Sequence, residues 1–199
     1  MASVDAAAVK RLREITSAGI MDCKRALGET NGDIDAAITL LREKGIASAA
    51  NKAERTAADG FIGVYVHTDG KQAAMVEVNC ETDFVARTED FQNLCRELGM
   101  QVVALRPQWV RREEVPADVL EAEKNIYREQ AAGEGKPEAM LDKIAEGRIN
   151  KFYGQVCLME QPYVKDDKKT IDDVVKETIA KVGENIRVNR FTRYKIGEA

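Results

Sequence analysis

Histidine is close to absent: His67 stands alone in 199 residues, beside one tryptophan, four prolines and four cysteines. A zinc site using two histidines is therefore excluded within one chain, and any Ser-His-Asp or Cys-His arrangement must use His67. That residue falls where an alternating apolar stretch runs into a turn, a place for an exposed imidazole rather than a desolvated base. Cys23, Cys80, Cys95 and Cys157 share no metal-knuckle or redox spacing and read as reduced thiols, some of them in the core. Neither G-x-G-x-x-G nor a P-loop occurs, so the chain is not built to hold a nucleotide, and no cofactor or metal is expected. No run approaches the ~18 apolar residues of a bilayer span. Met1 to Ala8 lacks a basic stretch leading into an apolar core, so a signal peptide is not expected and the cytoplasm is the expected location. Thirty basic side chains against 34 acidic ones leave no basic surplus, which argues against a nucleic-acid backbone as the main partner.

The first 50 residues read as three short helices. Val4, Ala8, Leu12 and Ile15 recur at helical spacing with Ser3 available as cap, and Thr16-Ser17-Ala18-Gly19 breaks the pattern. Ile20 to Leu27 forms a second helix. Asn31-Gly32 turns, Asp33 caps a third, and Ile34, Ala37, Ile38 and Leu41 share its face. Ala47 to Ala58 reads either as a helical extension or as a linker. The period then changes from 3.6 to 2. Ile62, Val64 and Val66 alternate with Phe61, Gly63 and Tyr65, Asp69-Gly70 supplies a hairpin turn, and Ala74, Val76 and Val78 line the returning strand.

Thr82 is a plausible cap for one long helix towards Leu105, with Phe84, Phe91, Leu98 and Leu105 seven apart and Leu94, Cys95 and Val102 widening the stripe. Two more helices begin near Pro116 and Pro137, separated by Gly133 and Gly135. Gln155 to Val164 either continues a helix or forms a short extended piece. Thr170 and Asp173 make a start resembling a capping box for Ile171, Val174, Val175, Ile179 and Val182, which end at Gly183. Ile186, Val188, Tyr194 and Ile196 then alternate with Arg187, Asn189, Arg193 and Lys195, a strand with one wet face. The expected fold is α+β: a three-helix module over 1–52, then a core over 53–199 in which helices cover a small antiparallel sheet built from hairpin 60–79 and strand 186–196.

Residues 53–104 carry nine acidic and four basic side chains, an excess that a solvated helix face explains. Two stretches resist so plain a reading. In LREITSAGIMDCKRAL (Leu12–Leu27), Ile20 and Met21 are adjacent, and neighbours on a helix do not both point inward. An exposed Met21 beside Lys24 and Arg13 makes an amphipathic docking patch. In EVNCETDFVAR (Glu77–Arg87), the plain reading has Thr82 cap, Asp83 complement the helix dipole and Phe84 open the core stripe. The alternative has Phe84 project past the sheet as a wedge with a carboxylate attached.

Together these stretches resemble the two signature motifs of the elongation factor Ts family, guanine-nucleotide exchange factors of bacterial and organellar translation. L-R-x-x-T is followed by G-I-M-D-C-K-R-A-L and then by T-D-F-V, and the run from Glu146 to Pro162 is also similar to the family. The resemblance implies no covalent chemistry. It implies an N-terminal module similar to a ubiquitin-associated fold that docks on the nucleotide-binding domain of elongation factor Tu, with Arg13, Ile20, Met21 and Lys24 at the contact. It further implies that Thr82, Asp83, Phe84 and Val85 dislodge the partner's magnesium, Phe84 as the wedge. Longer members carry two related α+β halves and a protruding helical hairpin. This chain has material for one half, resembles the short form, and is expected to pair with a second copy as a homodimer. Position 20 is Ile where many relatives have Met.

Two rival readings remain open on the residues alone. An adaptor would use the helical module for docking and the rest for oligomerisation, leaving T-D-F-V without a task. A thiol enzyme using Cys80 and His67 would lack a third orienting group.

Overall fold

The computed structural model describes residues 5–16 and 18–198. Ser3, Val4 and Ser17, read above as a cap, a face residue and part of a break, lie outside them. The chain divides into two compact units: Met1–Phe61 with Val78–Leu94 and Asp173–Arg187, and Ile62–Glu77 with Cys95–Asp172 and Val188–Ala199. Among the described residues no helix is long and apolar enough to cross a membrane.

In the first unit, α1 (Ala6–Thr16), α2 (Ile20–Glu29) and α3 (Ile34–Ala50) form the expected three-helix module. Asp33 caps α3 by accepting the Ala36 N–H at 3.0 Å. Leu12, Cys23, Ala26, Leu27 and Ala37 are its core, flanked by Ile34, Ile38 and Leu41 as their shared face predicted. Ile15 departs from the expectation: it sits in the last turn of α1, beyond the core centred on Leu12, and is exposed. Further along this unit, α8 (Ile171–Val182) buries Ile171, Val175 and Ile179 and ends at Gly183, whose φ of 82° few other residues adopt cheaply.

The single helix expected from Thr82 to Leu105 is two helices, α4 (Asp83–Ala86) and α5 (Glu89–Leu105). Thr88 makes the break. Its amide and hydroxyl both bond back to the Val85 carbonyl, at 3.0 and 2.8 Å, and its hydroxyl oxygen then accepts the Phe91 N–H at 3.4 Å. One side chain closes the first helix and caps the second. The seven-residue stripe holds within α5, where Phe91, Leu94, Cys95, Leu98 and Val102 are buried. It fails at both ends, at Phe84 and at Leu105.

In the second unit, β1 (Asp59–Val66), β2 (Gln72–Cys80) and β5 (Ile186–Lys195) contribute to an antiparallel sheet of order β1-β2-β5. The β1–β2 hairpin closes through His67 N–H to Gln72 O at 2.8 Å, with Gly70 at a φ of 67°. On β1 the face turned inward is that of Gly63, whereas Ile62, Val64 and Val66 are exposed. Close approach by α5 is the reason. A Cβ on Gly63 would sit 2.6 Å from the Cys95 carbonyl oxygen, and one on Gly99 2.8 Å from the Tyr65 Cβ.

β5 departs from its predicted alternation. Val188 is buried, but Asn189 and Arg190 are both exposed and both bond to Glu77, so the pattern slips by one residue. Beyond the slip Tyr194 is 67% exposed, while the Arg193 side chain is 13% exposed. Arg193 donates to Glu198 and to Gln72, and the pull of Lys195 and Arg193 holds the Glu198 carboxyl down at about 2.

The remaining elements of this unit are the antiparallel pair α6 (Ala117–Gly133) and α7 (Glu138–Val156), each entered from proline as expected. After α7 the ambiguous stretch resolves into a 3₁₀ turn at Leu158–Glu160 and a short strand, β3 (Pro162–Tyr163), paired with β4 (Asp166–Thr170). Its anchor is a buried amide pair. Gln101 Nε2 donates to Gln161 Oε1 and the Pro162 carbonyl, while Gln161 Nε2 donates to the Leu105 and Gln155 carbonyls. Every bond in that network replaces one to water, so a buried polar pair is tolerated and fixes a single chain path.

Since the added methyl would meet backbone rather than a flexible chain end, Gly63→Ala is expected to destabilise the protein by ~1–3 kcal/mol. Denaturant unfolding checks this; an unchanged midpoint would refute the close approach.

Candidate functional site

At the N-terminal patch, α2 turns Cys23, Ala26 and Leu27 into the module's core, which leaves its first turn outward. Ile20 is 54% and Met21 67% exposed, so neither adjacent residue points inward. Ile15, missed in the sequence, is a third exposed aliphatic side chain flanking the same short connection. The connection is tight: Thr16 Oγ1 bonds to Leu12 O at 2.8 Å, and Cys23 Sγ donates to Ala18 O at 3.7 Å. Arg13 and Lys24 are exposed and, among the described residues, have no ion-pair partner. Exposed apolar side chains near exposed cations make this an amphipathic patch.

The second patch lies at the end of β2. Thr82 leaves the strand with extended backbone and its Oγ1 accepts the Val85 N–H at 3.4 Å, a side-chain N-cap. The single turn of α4 buries Val85 and Ala86, so Asp83 and Phe84 face outward. Phe84 is 78% exposed, the most exposed of the large hydrophobic side chains described. Asp83 accepts from Arg87 Nη2 at 2.7 Å, one turn on. Exposed pairs at this spacing are worth only ~0.3–0.5 kcal/mol, so Asp83 is readily surrendered to another partner. Phe84 therefore does not open the core stripe, which begins at Phe91.

A turn between α8 and β5 braces this corner. Glu184 Oε2 accepts the N–H groups of Glu81 and Thr82, at 3.1 and 3.0 Å, and its Oε1 accepts the Thr82 hydroxyl at 2.7 Å. In return Glu81 Oε1 accepts the Asn185 N–H at 2.7 Å. Asn185 Nδ2 reaches the carbonyls of Ala53 and Arg55, at 3.3 and 2.8 Å, so one turn grips both the corner and the chain leaving α3. Sequence reading missed Glu81, Glu184 and Asn185. No local pattern joins positions 102 residues apart.

The family model for elongation factor Ts matches residues 2–198. The chain belongs to the elongation factor Ts family. It is 55% identical over 198 residues to elongation factor Ts of Desulforamulus reducens, covering all of this chain and 91% of that protein. Against elongation factor Ts of Geobacter sulfurreducens the identity is 55% over 196 residues, 98% of this chain and 91% of the other. Elongation factor Ts of Caldanaerobacter subterraneus is 54% identical across 98% of each chain.

Within this elongation factor Ts fold, both patches fall in the first compact unit. Cys80, next to the corner, is fully buried, and desolvation followed by the Glu184 charge pushes its thiol up to about 11. A thiol held protonated at neutral pH is a poor nucleophile. Among the described residues no group of acids, cysteines and histidines is placed to hold a metal.

Phe84→Ala is expected to leave unfolding free energy within ~0.5 kcal/mol of wild type, whereas Phe91→Ala, which empties a fully buried site, costs ~3–5 kcal/mol. Chemical denaturation of the two variants separates a tip from a core residue.

Proposed function

We propose that this chain is the cytoplasmic guanine-nucleotide exchange factor that binds GDP-loaded elongation factor Tu, disturbs its magnesium site and promotes GDP release during translation elongation. The observation that carries the proposal is the exposure of Phe84 beside Asp83 at the T-D-F-V positions. A soluble protein gains nothing by leaving a phenylalanine in water; burying it in a partner returns ~1.5–3 kcal/mol. Arg13, Ile20, Met21 and Lys24, in a docking module spanning 1–52, make the first contact. Thr82 and Val85 hold the turn, Phe84 wedges between elements of the partner, and Asp83 contacts the same region. The metal and the nucleotide belong to the partner. No bond is made or broken: contacts realised best on the nucleotide-free partner must, by linkage, weaken nucleotide binding by the same free energy.

We further propose that two copies pair through their sheets. Ile62, Val64, Val66, Met75 and Tyr194 are all exposed, an apolar set on strands that a second copy would cover. Sedimentation over a range of concentrations is expected to show a dimer that Val64→Lys splits; a strict monomer at every concentration would rule it out.

Release of labelled GDP from elongation factor Tu tests the main proposal. Phe84→Ala and Asp83→Ala are expected to slow stimulated release about tenfold or more, and wild-type rates in both would remove the wedge. Met21→Asp places a charge in the docking patch and is expected to weaken the complex by a few kcal/mol, read by titration calorimetry. Normal binding alongside absent GDP release by the wild-type chain would favour the adaptor instead.

A further inference from the structure

We infer that Glu184 is a positioning residue for the exchange step, acting through Phe84 rather than on the partner; this rests on the exchange reading above. A four-residue helix makes too few internal bonds to fix its own direction, so the tip points where its flanks point it. Those flanks are held from outside. The Glu184 carboxylate takes the two consecutive amides of Glu81 and Thr82 and, by accepting the Thr82 hydroxyl proton, leaves that oxygen's lone pairs facing the Val85 N–H it caps. The three donors are therefore all on Glu81 and Thr82, the two residues that set the entry angle of α4. The return bond from the Asn185 N–H to Glu81 and the ion pair of Arg55 with Glu81 at 3.6 Å lock the same corner from the other side. Nothing in this arrangement needs a negative charge; it needs an acceptor of this reach. A glutamine can offer its oxygen to the two amides and its NH₂ to the threonine oxygen, whereas alanine leaves three donors unpaired.

The test is stimulated GDP release from elongation factor Tu at increasing concentrations of wild type, Glu184→Ala, Glu184→Gln, Phe84→Ala and the double variant Glu184→Ala/Phe84→Ala, each checked for folding. Glu184→Ala is expected to lower the maximal rate about tenfold while the half-saturating concentration stays within about twofold, because the docking patch is untouched. Glu184→Gln is expected to restore most of the maximal rate. In the Phe84→Ala background, adding Glu184→Ala is expected to change the rate less than about twofold, which a general weakening of the fold would not produce. A folded Glu184→Ala with a wild-type maximal rate, or an additive loss in the double variant, overturns the inference. Normal rates in Phe84→Ala instead remove the wedge through which Glu184 is said to act, and absent stimulation by the wild-type chain overturns the exchange reading on which the inference rests. Should Glu184→Ala not fold, Glu184→Asp, shorter by one methylene, is read the same way alone and in the Phe84→Ala background.

Discussion

A helix of one turn does not hold itself. Nucleating a turn fixes several dihedral angles for a single hydrogen bond, which is unfavourable in isolation. The corner at Thr82–Ala86 exists because Val85 and Ala86 are buried beneath it, Thr82 caps it, Thr88 stops it, and Glu184 grips its entry. The exposure of Phe84 follows from that anchoring. Two inward side chains and a braced strand end leave the other two residues of the turn no direction but out.

Exposed apolar side chains carry a cost in solubility and specificity, and among those of this chain are residues at the start of α2, at the tip of α4 and on the strands of the sheet. Ile20 and Met21 are followed in α2 by the exposed Lys24, and Phe84 by sequence adjoins Asp83, whose carboxylate makes an exposed pair with Arg87. Apolar area supplies affinity, while neighbouring charges set which partner and which orientation are accepted. The turn at Gly183–Asn185 is bonded both to the corner and to the chain leaving α3, so one short segment fixes the strand end and the exit of the helical module together.

The second unit shows how small geometric events redirect whole faces. Gly63 and Gly99 let α5 approach the sheet, so the glycine of β1 turns inward and its three aliphatic residues outward. In β5 the alternation of burial breaks at Asn189–Arg190, both exposed, and beyond it Tyr194 is exposed while the Arg193 side chain is largely covered. Side-chain alternation has a period of two, so the face a residue meets changes wherever it breaks.

Read alone, the sequence determined most of the elements, though not the break at Thr88 or the β3–β4 pair, because most of their signals are local. Asp33 before an apolar face, Asp69-Gly70 between two alternating runs, proline ahead of α6 and α7, and glycine after α8 each act on neighbours within a turn or two. The two motifs were legible for the same reason, as short runs whose composition suits neither core nor loop. Directions were not legible. Whether Phe84 opened a core stripe or left the protein depended on Thr88 breaking the helix and on Glu184, 102 residues away, gripping the strand end. The exposure of Ile15, the face that β1 turns inward and the outward Tyr194 of β5 likewise depended on what packs against them. A side chain's type is written at its own position, but the surface it meets comes from chain far away in sequence, and only folding brings the two together.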